Sequence, residues 1–263
     1  MFQMNLPFHI TLTDKRRLWY KALMRRVFAC DFFLIWLGLG LFSQSIPEQG
    51  FFEDGAVGVE VETLCLSLDK LGATVNCYIA WLSESRQAVI VDPGTPAAAI
   101  LKFIRAHRLK VLAILNTHGH LDHCGGDRFL AAKLSVPVYI HQADSKMASR
   151  NAGGKCPITF YPGTQRLILD GWEIEVIPTP GHSPGSVCLR IGETLFSGDT
   201  LFAGAIGKAE GDSQTERQAN LQLEIQNIRK FLLILPPTTR VFPGHGPATT
   251  IGAEKAFNPY FIQ

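Results

Sequence analysis

Residues 117–126 read T-H-G-H-L-D-H-C-G-G and directly follow an apolar, strand-like run at residues 111–115. Three histidines and one aspartate fall within this stretch: His118, His120, Asp122 and His123. Imidazole and carboxylate groups are ligands that proteins use for zinc, iron or manganese. The alternation H-x-H-x-D-H suits a turn that directs the first two histidines to one side and the Asp-His pair to the other. The stretch therefore predicts a metal site with two ions side by side.

Strand-like and helix-like patterns alternate along the chain from about Gly58 onward. Ten short runs rich in β-branched residues are predicted strands: residues 59–66, 75–82, 88–91, 111–115, 136–140, 166–169, 173–177, 187–191, 194–196 and 240–242. Three longer runs are predicted helices: residues 96–107, 125–134 and 214–232. The last helix carries an apolar stripe that predicts packing against a sheet: Leu221, Ile225, Ile228 and Leu232. Many strands with interleaved helices predict an α/β fold of two packed sheets, covered by helices on both sides.

Three later turns share a pattern in which a strand is followed by glycine and proline residues and one potential ligand. They present His182 in T-P-G-H-S-P-G, Asp199 in S-G-D-T and His245 in P-G-H-G-P. Glycine permits positive φ and close backbone approach, so such turns hold a side chain at the end of a strand. Each turn alone is weak evidence. With the loop at residues 117–126, however, they contain five of the eight histidines, and we expect all seven side chains to meet at one site.

Together these segments resemble the metallo-β-lactamase superfamily, over roughly residues 59–263. The resemblance implies an αβ/βα four-layer sandwich with metals at the edge of its sheets. It assigns one metal to three histidines: His118, His120 and His182. It assigns a second metal to three further residues: Asp122, His123 and His245. Asp199 would bridge the two ions.

Asp92, in the run V-D-P-G at residues 91–94, matches an aspartate that the superfamily carries early in its sequence. The resemblance implies that this carboxylate lies behind the ligands and orients their imidazole rings. A simple turn residue before Pro93 is the alternative that the sequence leaves open.

Within the superfamily, the chain resembles glyoxalase II, the hydroxyacylglutathione hydrolases. The likeness is carried by residues 197–202 (S-G-D-T-L-F), by Gly207-Lys208 and by residues 242–250 (F-P-G-H-G-P-A-T-T). Residues 249–259 resemble, more narrowly, the short bacterial relatives. These resemblances imply a binuclear metal-dependent hydrolase that cleaves a thioester such as S-lactoylglutathione by a metal-bridging hydroxide. Asp122 would orient that nucleophile, and Lys208 would contact a substrate carboxylate, although a solvated turn lysine is the alternative.

The sequence departs from the glutathione enzymes in two places. Ala209 stands where those enzymes carry an aromatic residue after the lysine, and the sequence ends at Gln263. We therefore expect no C-terminal helical domain of the kind that binds glutathione in full-length glyoxalase II. The resemblance predicts the reaction, and it leaves the acyl group and the thiol open.

Other activities occur on the same fold. The alternatives are a single-iron persulfide (sulfur) dioxygenase and a lactonase, and a non-catalytic metal-binding module is a third. The complete ligand set argues against the non-catalytic module. We expect two divalent metal ions as cofactors, zinc in the first place, with iron or manganese as alternatives because all three accept nitrogen and oxygen ligands.

Composition and charge limit the partners of the chain. The net charge is +2, but the first 45 residues hold six Lys/Arg against two Asp, so the remainder carries a small negative charge. This gives no electrostatic reason to expect nucleic-acid binding. Six scattered cysteines without a C-x-x-C pair predict buried free thiols. We expect a small-molecule thioester as the partner, and a monomer or small homo-oligomer.

Residues 1–55 are expected to form an N-terminal extension and residues 56–263 the hydrolase domain. Arg25-Arg26 and the eleven apolar residues 32–42 give residues 24–45 the look of a signal peptide. The apolar run is shorter than the about 20 residues that span a bilayer. A cytoplasmic location is the expectation and export is the alternative, while membrane association stays open.

Overall fold

The computed structural model describes residues 59–67, 74–95, 98–154, 156, 158–163 and 165–262. The predicted N-terminal extension and its boundary with the hydrolase domain lie outside these residues. None of the described helices is long and apolar enough to cross a membrane.

Six strands form the first sheet in chain order: β1 (Val59–Ser67), β2 (Thr74–Leu82), β3 (Gln87–Val91), β4 (Lys110–Leu115), β5 (Val138–Ile140) and β6 (Ile158–Phe160). The first three strands run antiparallel, and β3 to β6 run parallel. A parallel pair needs a crossover connection, and all three contain a helix. The first two contain α1 (Ala98–Ala106) before β4, and α2 (Leu121–Cys124) with α3 (Asp127–Leu134) before β5. The connection from β5 to β6 contains a 3₁₀ turn (Gln142–Asp144) and α4 (Ser145–Asn151).

The second sheet also has six strands: β7 (Arg166–Leu169), β8 (Trp172–Pro178), β9 (Val187–Ile191), β10 (Thr194–Gly198), β13 (Arg240–Pro243) and β14 (Thr249–Thr250). Their order is β14-β13-β10-β9-β8-β7, and only β10 and β13 pair in parallel. A small hairpin of β11 (Leu201–Phe202) and β12 (Ala205–Ile206) follows β10. Two further helices complete the described chain: α5 (Gln214–Asn227) and α6 (Ile251–Phe257).

Alternation along the strands divides the core into three layers of apolar side chains. On β2, Tyr78 and Ala80 face the second sheet, whereas Cys77 and Ile79 face α1 and α3. On the second sheet, Phe196 points to the first sheet. Side chains on its other face pack against α5, the turn after it and α6. The predicted four-layer αβ/βα sandwich is therefore confirmed.

The elements agree with the predicted ones except in detail. The helix predicted at residues 214–232 ends at Asn227, and a wider, π-type turn covers Ile228–Leu232. Its predicted stripe does pack against the second sheet, since Ile228 and Leu232 are fully buried there. The helix predicted at residues 125–134 begins only at Asp127, because the backbone of Gly126 donates to Pro93 instead. The first two residues of the helix predicted at 96–107 lie outside the described residues.

Candidate metal centre

All seven predicted ligands lie just beyond the carboxyl ends of strands. The loop after β4 carries His118 and His120 and leads into α2 with Asp122 and His123. The turns after β8, β10 and β13 carry one ligand each: His182, Asp199 and His245. Strands β8, β10 and β13 point the same way, so their turns share one edge of the sandwich.

Three imidazoles converge in what we call the first cluster (His118, His120 and His182). His118 Nε2 lies 2.9 Å from His120 Nδ1, and His182 Nε2 lies 3.3 Å and 3.0 Å from those two atoms. His118 and His182 are buried. If all three of these ring nitrogens carried protons, three donors would face one another without an acceptor. If none carries a proton, three lone pairs are directed at one point, which suits a metal ion.

The other ring nitrogen of each of these histidines has an outer partner. The His182 Nδ1 atom lies 2.9 Å from the carbonyl oxygen of Lys208, and His120 Nε2 lies 2.9 Å from a carboxylate oxygen of Glu210. The His118 Nδ1 atom lies 3.1 Å from the Thr117 hydroxyl. An acceptor at the outer nitrogen places the proton there and leaves the lone pair of the inner nitrogen free for a metal.

The second cluster (Asp122, His123 and His245) lies beside the first. Asp122 Oδ2 is 3.3 Å from His245 Nε2 and 3.8 Å from His123 Nε2. Asp199 lies between the clusters, with Oδ1 3.3 Å from His123 Nε2 and Oδ2 3.5 Å from His245 Nε2 and 3.7 Å from His182 Nε2. The structure thus brings all seven predicted ligands together, with Asp199 in the position predicted for the bridging group. That they bind metal stays a prediction.

Asp92 lies behind the second cluster, as the resemblance implies. It is buried and its Oδ2 is 2.9 Å from His123 Nδ1. It also accepts hydrogen bonds from the backbone and hydroxyl of Thr117, at 2.8 Å and 2.6 Å. Its φ of 51° is unusual for a residue with a side chain. This carboxylate therefore connects His123, and through Thr117 also His118, to the end of β3.

Glycine at the third turn is required by close packing. A Cβ at Gly244 would overlap the Asp199 carboxylate and the imidazole ring of His123. The first glycine of the pattern P-G-H-G-P thus lets the turn that contains His245 pack directly against Asp199 and His123. His245 Nδ1 donates to the Thr74 carbonyl at 2.7 Å, which fixes the orientation of its ring.

The donor set fits divalent ions on two observations. His123 Nε2 and Asp199 Oδ1 are buried, and neither has a hydrogen-bond partner of good geometry among the described residues. Such orphaned buried atoms are rare in proteins, and they face each other at 3.3 Å between the clusters. Three close groups of His and Asp side chains lie here: His118, His120 and His182; Asp92, His118 and His123; and Asp122, His123 and His245. These clusters have the nitrogen and oxygen donors that divalent metals accept.

Electrostatics give His118 and the two carboxylates of the clusters the protonation states that metal binding needs, whereas the neighbouring carboxylates raise the pKa of His123 and His245. Burial and the neighbouring His123 lower the pKa of His118 well below its usual value, which keeps its imidazole neutral. Burial raises the pKa of Asp122 and Asp199, but nearby histidines outweigh it, so the pKa of both carboxyls lies below the ordinary range. Both are therefore ionised at neutral pH.

Other predictions fall near the site without joining it. The Lys208 side chain is exposed, while its carbonyl oxygen binds His182. Cys124 is buried, and its thiol lies 3.0 Å from the carbonyl oxygen of His120. Burial raises its pKa, so packing rather than metal binding describes this thiol. The five described cysteines are free, and the predicted burial is confirmed for Cys77, Cys124 and Cys188. It is wrong for Cys65, which is exposed, and Cys156 is half-buried.

Three residues with contacts to the ligands were not predicted from the sequence: Glu210, Asp144 and Asn76. Glu210 holds His120, Asp144 binds the turns of the first cluster, and Asn76 binds the turn of His245. Their partners lie 25 to 170 residues away in the chain, so no local pattern marks them.

Comparison with known proteins agrees with this geometry. Residues 72–245 match the sequence profile of the Metallo-beta-lactamase superfamily. The probable metallo-hydrolase YqgX of Bacillus subtilis is 35% identical over 199 residues, covering 70% of this chain and 91% of that protein. The hydroxyacylglutathione hydrolase GloC of Haemophilus influenzae is 32% identical over 203 residues, covering 70% of this chain and 92% of that protein.

Two solved structures share the fold at similar identity. A di-iron-bound form of TTHA1623 is 35% identical with a TM-score of 0.60, covering 75% of this chain and 99% of that one. The BLEG-1 B3 metallo-beta-lactamase is 32% identical with a TM-score of 0.64, covering 77% of this chain and 100% of that one. The family match, these relatives and the four-layer sandwich agree: the chain belongs to the metallo-beta-lactamase superfamily of metal-dependent hydrolases.

Proposed function

We propose that this chain is a binuclear metal-dependent hydrolase that cleaves a small thioester of the S-lactoylglutathione type. The observation that carries the proposal is the position of Asp199, whose two carboxylate oxygens lie 3.3 Å from His123 Nε2 and 3.7 Å from His182 Nε2. One carboxylate thus serves both clusters. The 32% identity to the hydroxyacylglutathione hydrolase GloC supports a thioester as the substrate.

In this proposal the first cluster holds one divalent ion and the second cluster holds another. Zinc is the first choice because it accepts imidazole and carboxylate ligands. Iron and manganese accept the same donors, and the di-iron form of TTHA1623 supports iron as the alternative. When bound, such ions supply Lewis acidity and lower the pKa of a water molecule to about 7.

The protein residues would then orient the reactants. Asp122 is the more exposed of the two carboxylates in the predicted ligand set, with 34% of its side chain accessible against 11% for Asp199, and it is ionised. Its Oδ2 can accept a proton from an attacking water at the open side of the site. A thiol has a pKa of about 8.5, so the thiolate leaves without a strong general acid. A thioester therefore matches a site in which Asp122 and Asp199 are both ionised.

Lys208 is the residue that we propose for substrate recognition. Its backbone carbonyl oxygen binds His182, so its Cα lies close to the first cluster, and its side chain is exposed. Glu210, two residues later, lies 2.9 Å from His120 Nε2. The positive charge of Lys208 is therefore suited to a carboxylate on the acyl or thiol part of the substrate.

The proposal is tested on the purified full chain by elemental analysis and by thiol release from S-lactoylglutathione. The wild-type chain is expected to hold two metal ions and to release thiol. His120→Ala should abolish turnover and lower the metal content, because it removes one of three ligands of the first cluster. His107→Ala is the matched control, since that exposed ring stacks on Phe103 away from the site.

Three results would contradict the proposal. If no thioester releases thiol and the chain instead hydrolyses a lactone or a β-lactam, it belongs to another branch of hydrolases. One iron per chain with oxygen uptake on glutathione persulfide would assign the dioxygenase activity. A fully metallated, active His120→Ala variant would remove the assignment of the first cluster.

A further inference from the structure

Asp144 is a fully buried carboxylate that lies outside both clusters and binds three donors. It ends the 3₁₀ turn after β5 and precedes α4. Its Oδ2 accepts from the backbone N–H of Gly119 at 2.9 Å and from the Ser183 hydroxyl at 2.6 Å. Its Oδ1 accepts from the backbone N–H of Gly185 at 2.7 Å. A buried charge with three directed donors is strongly bound in one orientation.

The donors belong to the two turns that carry the first cluster. Gly119 lies between His118 and His120, and Ser183 directly follows His182. These turns are more than 60 residues apart in the chain. A single carboxylate therefore joins the two turns that carry the three histidines of the first cluster.

Neighbouring contacts make this junction rigid. The Gly119 carbonyl accepts from Asn151 Nδ2 at 2.9 Å, so this residue is bound through both its N–H and its C=O. The Ser186 hydroxyl lies 2.7 Å from that of Ser183 and accepts from the Ser183 N–H at 3.0 Å. A Cβ at Gly119 would lie 2.9 Å from the Asp144 carbonyl oxygen, too close for any side chain. The turns thus have little freedom to move apart.

The second cluster is held by different groups. Asp92 binds His123 and the Thr74 carbonyl binds His245. No hydrogen bond among the described residues joins Asp144 to Asp122, His123 or His245. A change at Asp144 therefore acts on one cluster and leaves the partners of the other in place.

We infer that Asp144 is a positioning residue that sets the geometry of the first metal site by joining the His118–His120 loop to the His182 turn. The inference rests on the proposed function, because it concerns one of the two proposed metal sites. An amide at this position has one acceptor oxygen instead of two. In Asp144→Asn, the NH₂ group therefore faces the backbone N–H of either Gly119 or Gly185. Two donors then face each other, and that hydrogen bond is lost.

The experiment measures the zinc affinity of each site separately, by competition with a chromophoric chelator. The His245→Ala background reports the first site, and the His118→Ala background reports the second. Asp144→Asn is expected to weaken zinc binding about 10- to 100-fold in the first background. In the second background the affinity should stay within about twofold, since no hydrogen bond among the described residues joins Asp144 to the second cluster or to Asp92, which supports His123.

Glu254→Gln is the matched control for a general loss of stability. Glu254 is also fully buried and accepts from Thr249, Gly204 and Asn258, away from the histidine turns of the first cluster. It should lower the melting temperature, as Asp144→Asn does, without changing zinc affinity in the His245→Ala background. Ser183→Ala removes one hydroxyl and keeps the carboxylate, and should weaken the first site by a smaller factor even if Asp144→Asn fails to fold.

The outcomes separate the inference from the proposed function. If Asp144→Asn weakens zinc binding equally at both sites, or at neither, the inference is overturned. The proposed function would still stand in that case, provided that the wild-type chain binds zinc. Unchanged first-site affinity in Ser183→Ala would count against the inference in the same way. A wild-type chain that binds no zinc, iron or manganese would remove the proposed function itself.

Discussion

Glu224→Gln is expected to change how the stability of this protein depends on pH. Glu224 lies on α5, is fully buried, and neither carboxylate oxygen has a hydrogen-bond partner of good geometry among the described residues. Its side chain packs against Gly181 and reaches towards Gly207. Burial raises the pKa of this carboxyl from 4.5 to about 8; the N–H of Gly207 opposes the rise and the charge of Asp199 adds to it.

The sign follows from proton release. Between pH 4.5 and about 8 the unfolded chain has lost this proton while the folded chain keeps it. The free energy of unfolding therefore falls as the pH rises through this window and levels off above it. At about 1.4 kcal/mol per pH unit, the full loss approaches about 5 kcal/mol. A small domain is stabilised by only about 5 to 15 kcal/mol, so the effect is large.

Urea denaturation of the chelator-treated protein at pH 5 and pH 8 measures the effect. The variant keeps the size of the side chain without its charge. Its stability relative to wild type should therefore rise by about 3 to 4 kcal/mol between the two pH values, because this range of pH covers most of the window but not all of it. Glu224→Leu should show the same change with pH, although its stability at any one pH differs. Parallel pH profiles for wild type and both variants would refute the reasoning.

Two further variants test recognition and packing. Lys208→Ala should raise the KM for S-lactoylglutathione about fivefold and leave kcat nearly unchanged. An exposed ion pair contributes up to about 1 kcal/mol, which corresponds to about a fivefold change in binding. An equal effect on a thioester without a carboxylate would argue against the contact. Gly94→Ala should destabilise the protein by about 3 kcal/mol or more in thermal unfolding, because its Cβ would overlap the carbonyl oxygen of Asp122. Gly163→Ala, whose Cβ meets no atom within 4 Å, is its control and should stay within about 0.5 kcal/mol of wild type.

The sequence predicted which seven side chains lie together at the site because each is marked by a local pattern. Glycine-containing turns after apolar runs place His182, Asp199 and His245 at strand ends, and these positions depend on neighbouring residues only. Ten of the fourteen described strands were predicted for the same reason, since each lies in a run with its own periodicity. The four-layer arrangement was implied by the resemblance and by the alternation of strands and helices.

What the sequence did not predict depends on short elements or distant contacts. Strand β6 has three residues, and β11, β12 and β14 have two each, too few for any periodicity. The turn Ile228–Leu232 continues the apolar spacing of α5, so the pattern cannot show where the α-helix ends. Asp144 and Glu210 look like ordinary acidic loop residues in the sequence, and only the folded chain brings them to His120 and its neighbours.

The second cluster has a support of its own, and Asn76→Ala tests it. Asn76 Nδ2 donates to the carbonyl oxygens of Pro243 and Gly246, at 3.0 Å and 2.8 Å, on either side of His245. Its backbone N–H also binds the Gly244 carbonyl at 2.8 Å. These bonds attach the turn after β13, which contains His245, to β2. They therefore join the two sheets next to the second cluster.

Asn76→Ala removes the two side-chain bonds and keeps the backbone one. It should cost about 1 to 3 kcal/mol of stability, because Gly246 loses its partner while Pro243 keeps a hydrogen bond from Tyr78. Zinc affinity should fall about tenfold in the His118→Ala background and little in the His245→Ala background, the reverse of Asp144→Asn. The two changes share no partner, so their effects should add in the double variant. A fall of equal size at both sites would instead mean that the sheets respond as one unit and that the two clusters have no separate supports.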